Sequence, residues 1–181
     1  MVIPALAAAW FLIFVAPICF YVAFTDMREM QIKNQAVYAL ALVFIIVGFF
    51  VLPPWSGDWA VGSIGPLTLN LPVYVWQLSH IIIVLLFGMV MNAAGAMGAG
   101  DAKFCAAAAP FIWAADLMPL LMILMSTTLG ATAAHRLAKH TPLRQIAPHW
   151  ESWDRGKKFP MGLVLAGSLT IYLILGIING S

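Results

Sequence analysis

The chain has 181 residues, of which 63% are apolar and only 9% charged, against roughly 45–50% and roughly a quarter in ordinary soluble domains. With 9 Lys+Arg and 7 Asp+Glu and a mean hydropathy of +0.96, most of the surface must face lipid. This excludes a soluble enzyme, a disulfide-stapled secreted domain and a disordered tail, and a net charge of +2 is too mild to imply a nucleic-acid partner.

A bilayer core of roughly 30 Å takes about 20 apolar residues per helix. Residues 2–24 predict a first span with no Lys or Arg ahead of it. The run is too long for a signal-peptide core and is expected to stay in the mature protein. Residues 36–52 predict a second span, residues 53–72 (PPWSGDWAVGSIGPLTLNLP) an outer loop, and residues 73–94 a third span. Residues 102–115 predict a short fourth span with Lys103 near its start and Pro110 inside it, which membrane helices tolerate. Residues 117–134 and 161–178 complete the set. The expected fold is an all-α polytopic membrane protein of about six transmembrane helices, one domain over residues 1–181. No internal repeat relates the two halves.

The cations sort by loop. Arg28 and Lys33 follow the first span, Lys103 follows the third, and Arg136, Lys139, Arg144, Arg155, Lys157 and Lys158 lie between the fifth and sixth; these are all nine. The 53–72 loop and the turn at Asp116 have none. By the positive-inside rule the cation-bearing loops face the cytoplasm and both termini face out. Without the fourth span, the last and most basic loop would fall outside. That loop mixes Trp150 and Trp153 with its cations, a pattern suited to anionic headgroups of the inner leaflet.

Of the seven acids, Asp58 and Asp116 fall on the outer face, and Glu29, Glu151 and Asp154 in cytoplasmic loops. Asp26 stands where the first span reaches the cytoplasm and Asp101 where the fourth leaves it, so two carboxylates arrive at one depth. Two such groups a few ångström apart cannot both ionise. The pair can hold and activate a water, acid and base of one dyad. Plainer readings stand beside this one. Asp101 after Gly98-Ala-Gly100 suits a helix N-cap, and Asp26 suits an interfacial pair with Arg28 or Lys33, although an acid at a helix C-terminus opposes the macrodipole. Gly98 and Gly100 either take positive φ or admit a substrate strand, or else belong to a small-residue packing surface with Gly95 and the neighbouring alanines. Neither glycine-rich nucleotide motif is completed here, since Lys103 stands where a third glycine would fall.

Cys19 and Cys105 lie in apolar runs and read as small core residues. His135, His140 and His149 read as scattered over the last basic loop, with no partner at metal-ligand spacing, and His80 falls in the third span. No metal site and no cofactor is expected.

At the candidate dyad the sequence resembles a family. Asp26-Met-Arg28-Glu-Met-Gln-Ile32-Lys-Asn34 is similar to the D-x-R-x-x-x-I-P-N segment of type IV prepilin peptidases, Gly98-Ala-Gly100-Asp101-Ala-Lys103 to their G-x-G-D-x-K signature, and Lys158-Phe-Pro160-Met-Gly162 to the P-x-G that precedes their last helix. Lys33 replaces the usual Pro, and Met161 stands where an aromatic is common. The resemblance implies an aspartic endopeptidase of the bacterial cytoplasmic membrane with Asp26 and Asp101 as the catalytic pair. Arg28, Asn34, Gly98, Gly100, Lys103, Pro160 and Gly162 are then motif or substrate-positioning residues. It implies prepilin and pseudopilin substrates, cleaved on the cytoplasmic side after a short basic leader. The long members carry an N-methyltransferase domain with cysteine pairs; neither is expected here, and the short peptidases of the tight-adherence (Flp) pilus systems are the nearest in pattern. Presenilin-like proteases share G-x-G-D, but their P-A-L motif is not found. Membrane lipids are the remaining expected partner. From another class, a cation-coupled transporter or channel subunit would use the same aspartates as ion-relay carboxylates, and a scaffold subunit would need neither.

Overall fold

The computed structural model describes residues 1–57, 59–64, 67–154 and 159–180. Asp58, Arg155, Lys157 and Lys158 lie outside them. The described chain forms six α-helices: α1 (Ala5–Glu29), α2 (Asn34–Val51), α3 (Val73–Ala93), α4 (Ala99–Ala108), α5 (Leu117–Lys139) and α6 (Met161–Asn179). Five of these, all but α4, are long and apolar enough to cross a membrane. Their outward faces carry large apolar side chains such as Leu6, Phe20, Phe50 and Leu129, each more than two-thirds exposed, as lipid-facing helices require.

Four boundaries differ from expectation. α1 runs on to Glu29, because Thr25-Asp-Met-Arg-Glu contains no helix breaker; Asp26 therefore lies in its last turn, not beyond it. The helix stops at Met30, whose left-handed backbone (φ 53°) lets its N–H bond to the Asp26 carbonyl. His135 belongs to α5 and is buried, not part of the following loop. In the 53–72 loop the chain forms an antiparallel hairpin, β1 (Trp59–Ile64) and β2 (Leu67–Pro72), with Trp59 opposite Pro72 and Ile64 opposite Leu67. And α4 ends at Ala108, where Ala109–Phe111 tightens into a 3₁₀ turn containing Pro110, a residue without the N–H that an α-helix would need.

The short α4 still opens a sixth crossing. At 1.5 Å per residue its 10 residues give about 15 Å of rise, half a bilayer. The chain continues through two 3₁₀ turns to Asp116, whose carboxylate accepts the backbone N–H groups of Val2 (2.8 Å) and Ile3 (3.1 Å) just before α1 begins. At the other end, Asp101 shares a cavity with Asp26, in the last turn of α1. The segment 101–116 thus traverses the same thickness as α1. Irregular backbone is tolerated at that depth only inside protein, and residues 106–111 are all buried.

α6 lies along α1 in the most extensive helix pairing, α5 lies along α6, and α3 along the alanine-rich α4. The aromatic centre of the core joins α1, α2 and the Pro110 turn: Phe11 stacks on Phe44 (centroids 5.4 Å), and both meet Phe111 edge-on at 5.0 and 5.2 Å. This packing brings the C-terminal ends of α1 and α5 and the N-terminal ends of α2, α4 and α6 together at one end of the molecule, where all the described cations also sit.

Candidate active site

Asp26 is 5% exposed although it carries a carboxylate at the end of an apolar helix. An acid is out of place at a helix C-terminus, and the fold supplies the compensation from another helix. Gly162 donates its backbone N–H to Asp26 Oδ2 at 2.6 Å, and Leu163 donates the next amide. Both lie in the first turn of α6, after the buried Pro160 that serves as its N-cap residue. Asp26 is therefore a C-terminal residue of its own helix and a hydrogen-bond acceptor at the positive end of α6.

Asp101 is arranged similarly, within its own helix. It is not the N-cap residue; that is Gly98, and Asp101 sits in the first turn of α4. From there its carboxylate reaches back and accepts the Gly98 N–H, the acidic half of a capping box. Gly98 has an ordinary extended backbone (φ −66°). Of the described glycines only Gly57 and Gly95 have positive φ, so neither glycine of the signature is there for left-handed geometry.

The two carboxylates interact electrostatically and line one cavity of about 370 Å³. Asn34, Gly98, Gly100 and Lys103 line it as well, and Lys103 donates from Nζ to Asn34 Oδ1 at 3.2 Å. Of the sequence-predicted residues, one stays apart: Arg28 is 59% exposed and stands beside Glu29. Lys33 pairs with Glu29 as well, so the basic residues first weighed as partners of Asp26 are engaged with its neighbour. The cavity walls also include Met30, Gln31, Ile32, Phe159 and Met161, which the sequence reading did not single out as site residues. Phe159 and Met161 flank Pro160, and that adjacency was the available signal.

Two carboxylates on one partly polar cavity can share a proton, hold a water and run acid and base chemistry together. Among the described residues no three His, Cys, Asp or Glu side chains group as a metal site.

The sequence profile of the type IV leader peptidase family matches residues 13–134. This stretch includes Asp26 and Asp101 and stops before α6. No curated protein and no solved structure matches the chain.

Proposed function

The chain belongs to the type IV leader peptidase family, a peptidase family, and on that premise we propose that it removes short basic leaders from prepilins and pseudopilins through an Asp26/Asp101 dyad. The observation that carries this reading is the pair itself: two aspartates from α1 and α4, each accepting backbone amides at a helix N-terminus, on one cavity.

In the proposed mechanism one carboxyl is protonated and the other ionised. The ionised group takes a proton from the water between them as the water oxygen attacks the scissile carbonyl carbon. The protonated group polarises the carbonyl oxygen and supplies the proton that the leaving amine needs when the C–N bond breaks. The dyad ends with its one proton exchanged between partners, so its two apparent pKa values belong to the pair. Neither metal nor cofactor enters. Lys103, tied to Asn34, lines the cavity and is proposed to orient the substrate backbone beside Asp101.

The reading extends to place and partner. The described cations Arg28, Lys33, Lys103, Arg136, Lys139 and Arg144 gather at the end that holds the cavity, which supports a site facing the cytoplasm from the bacterial inner membrane. The short tight-adherence pilus systems would supply the substrates. Asp26→Asn and Asp101→Asn keep side-chain volume and remove the acid. With a prepilin co-expressed, each is expected to lower cleavage, read as the gel shift of the leader, by at least about 10²–10⁴-fold while remaining in the membrane fraction. Normal processing by both variants would overturn the proposal.

A further inference from the structure

Beyond the amides of α6, a second set of contacts closes on Asp26. Phe24, two residues before it on α1, meets the Trp150 ring edge-on at 5.9 Å. Trp150 stacks on Trp153 (5.8 Å, 12° between planes), and Trp153 stacks on His135 of α5 (4.7 Å, 19°). His135 meets Phe159 edge-on at 5.6 Å. Phe159 lines the cavity and immediately precedes Pro160, and Gly162 returns to Asp26 at 2.6 Å. The path is a closed ring: it leaves α1 at Phe24 and comes back to α1 at Asp26, having passed through the α5–α6 connection and the end of α5.

Several details mark the ring as a built feature. Trp153 is 3% exposed, and its indole N–H donates to the Ala147 carbonyl at 2.9 Å, which fixes the ring plane in a connection whose described residues include two short 3₁₀ turns. His135 is buried and its Nε2 has no hydrogen-bond partner among the described residues. A buried nitrogen left without a partner is costly, and the contacts that hold the imidazole include the face of Trp153 and the edge-on ring of Phe159. None of these rings belongs to the motif segments around Asp26 and Asp101.

We propose that this aromatic ring braces the first turn of α6 against Asp26, and that His135, which joins α5 to both Trp153 and Phe159, is a positioning residue for that carboxylate. His135 touches neither the cavity nor the dyad; it acts through Phe159, whose backbone leads into the Pro160–Gly162 turn. If the brace loosens, the Gly162 amide backs away from Oδ2, and displacements of about 1 Å at such contacts cost up to about 10²-fold in rate. Substrate held along the rest of the cavity is unaffected. The signature is therefore a fall in kcat with KM unchanged.

This rests on Asp26 being catalytic, so Asp26→Asn is run in parallel: a fully active Asp26→Asn overturns the dyad, whereas an inactive one leaves the brace to be judged by its own variants. In purified, detergent-solubilised protein with a synthetic prepilin peptide, His135→Leu is expected to lower kcat about tenfold or more without changing KM. His135→Phe, which keeps a ring between Trp153 and Phe159, is expected to recover most of it. Trp150→Leu breaks the ring on its other side, at a half-buried position, and is expected to show the same kcat loss even where His135→Leu fails to accumulate. A wild-type kcat in Trp150→Leu, a change confined to KM, or equal losses in His135→Leu and His135→Phe would overturn the proposal.

Discussion

A Cβ built on Gly162 would stand 2.9 Å from Asp26 Oδ2 and 3.0 Å from its Cβ and Cγ, closer than unbonded carbons approach, so any side chain here pushes α6 off the carboxylate. A Cβ on Gly98 would stand 2.8 Å from Asp101 Oδ2. That carboxylate can swing away at little cost in stability, but in doing so it leaves the Gly98 amide. Gly100 differs: its Cβ would lie 3.5 Å from Ile32 Cβ, an ordinary contact. The two glycines of one signature are thus separable. Gly162→Ala and Gly98→Ala are expected to lower cleavage by at least about tenfold through displacement of their carboxylates, while Gly100→Ala folds normally and binds the dyad residues in place. If Gly100→Ala nonetheless loses cleavage, its role lies in the approach of the substrate backbone, and a KM increase in peptide assays would register it. Retained activity in Gly162→Ala would contradict the contact geometry.

The crossing formed by α4 has only 10 residues of α-helix before its two 3₁₀ turns, and its far end is fastened from outside. Tyr172 of α6, fully buried, accepts the Trp113 N–H at 3.2 Å and donates to Asp116 Oδ2 at 3.0 Å, while Asp116 holds Val2 and Ile3. Tyr172→Phe keeps the ring and removes the bridge, leaving a buried amide and a buried carboxylate each short of a partner. The expected cost is about 1–3 kcal/mol, seen as a lower thermal midpoint in detergent. Peptide cleavage by the folded fraction should be unchanged, because Tyr172 and Gly162 are separated along α6 by about 15 Å. An unchanged midpoint would mean the bridge is not formed. Pro110 announces an interruption in this crossing, but nothing local in the sequence tells that the α-helix ends there and the chain continues through 3₁₀ turns to Asp116. The hairpin has a local signal in Leu67-Thr-Leu-Asn-Leu71, which alternates apolar and polar with period two.

At the scale of the whole molecule, the scarcity of charge makes Asp26 and Asp101 legible as a candidate pair: in a chain this apolar, an acid at a span end on the cation-bearing side stands out. What holds each acid was legible to different degrees. Gly98 lies three residues from Asp101, within reach of local reasoning, whereas Gly162 is 136 residues from Asp26. Its place was marked only by a motif, and the steric reason for it exists only in the folded pair of helices. The same holds for His135, which lies just past the apolar run 117–134 and is buried because α5 continues to Lys139. Single cysteines at Trp55, 69% exposed beyond α2, and at His149, exposed in the α5–α6 connection, are expected to differ. A membrane-impermeant maleimide added to intact cells with a permeabilised outer layer should label Trp55→Cys and spare His149→Cys until the inner membrane is lysed. The reverse pattern would put the cavity on the other side.

The pairing of α1 with α6 also fixes an order of events. α1, which carries one acid of the pair, leaves the ribosome before α6, whose first turn holds the amide donors more than a hundred residues later. Between those moments α2 to α5 can insert and pack, with both acids already synthesised, while Asp26 has no α6 N-terminus to face. Under the proposed mechanism, a chain truncated before α6 would carry both aspartates and still fail to cleave, because the Gly162 amide that holds Asp26 would be missing.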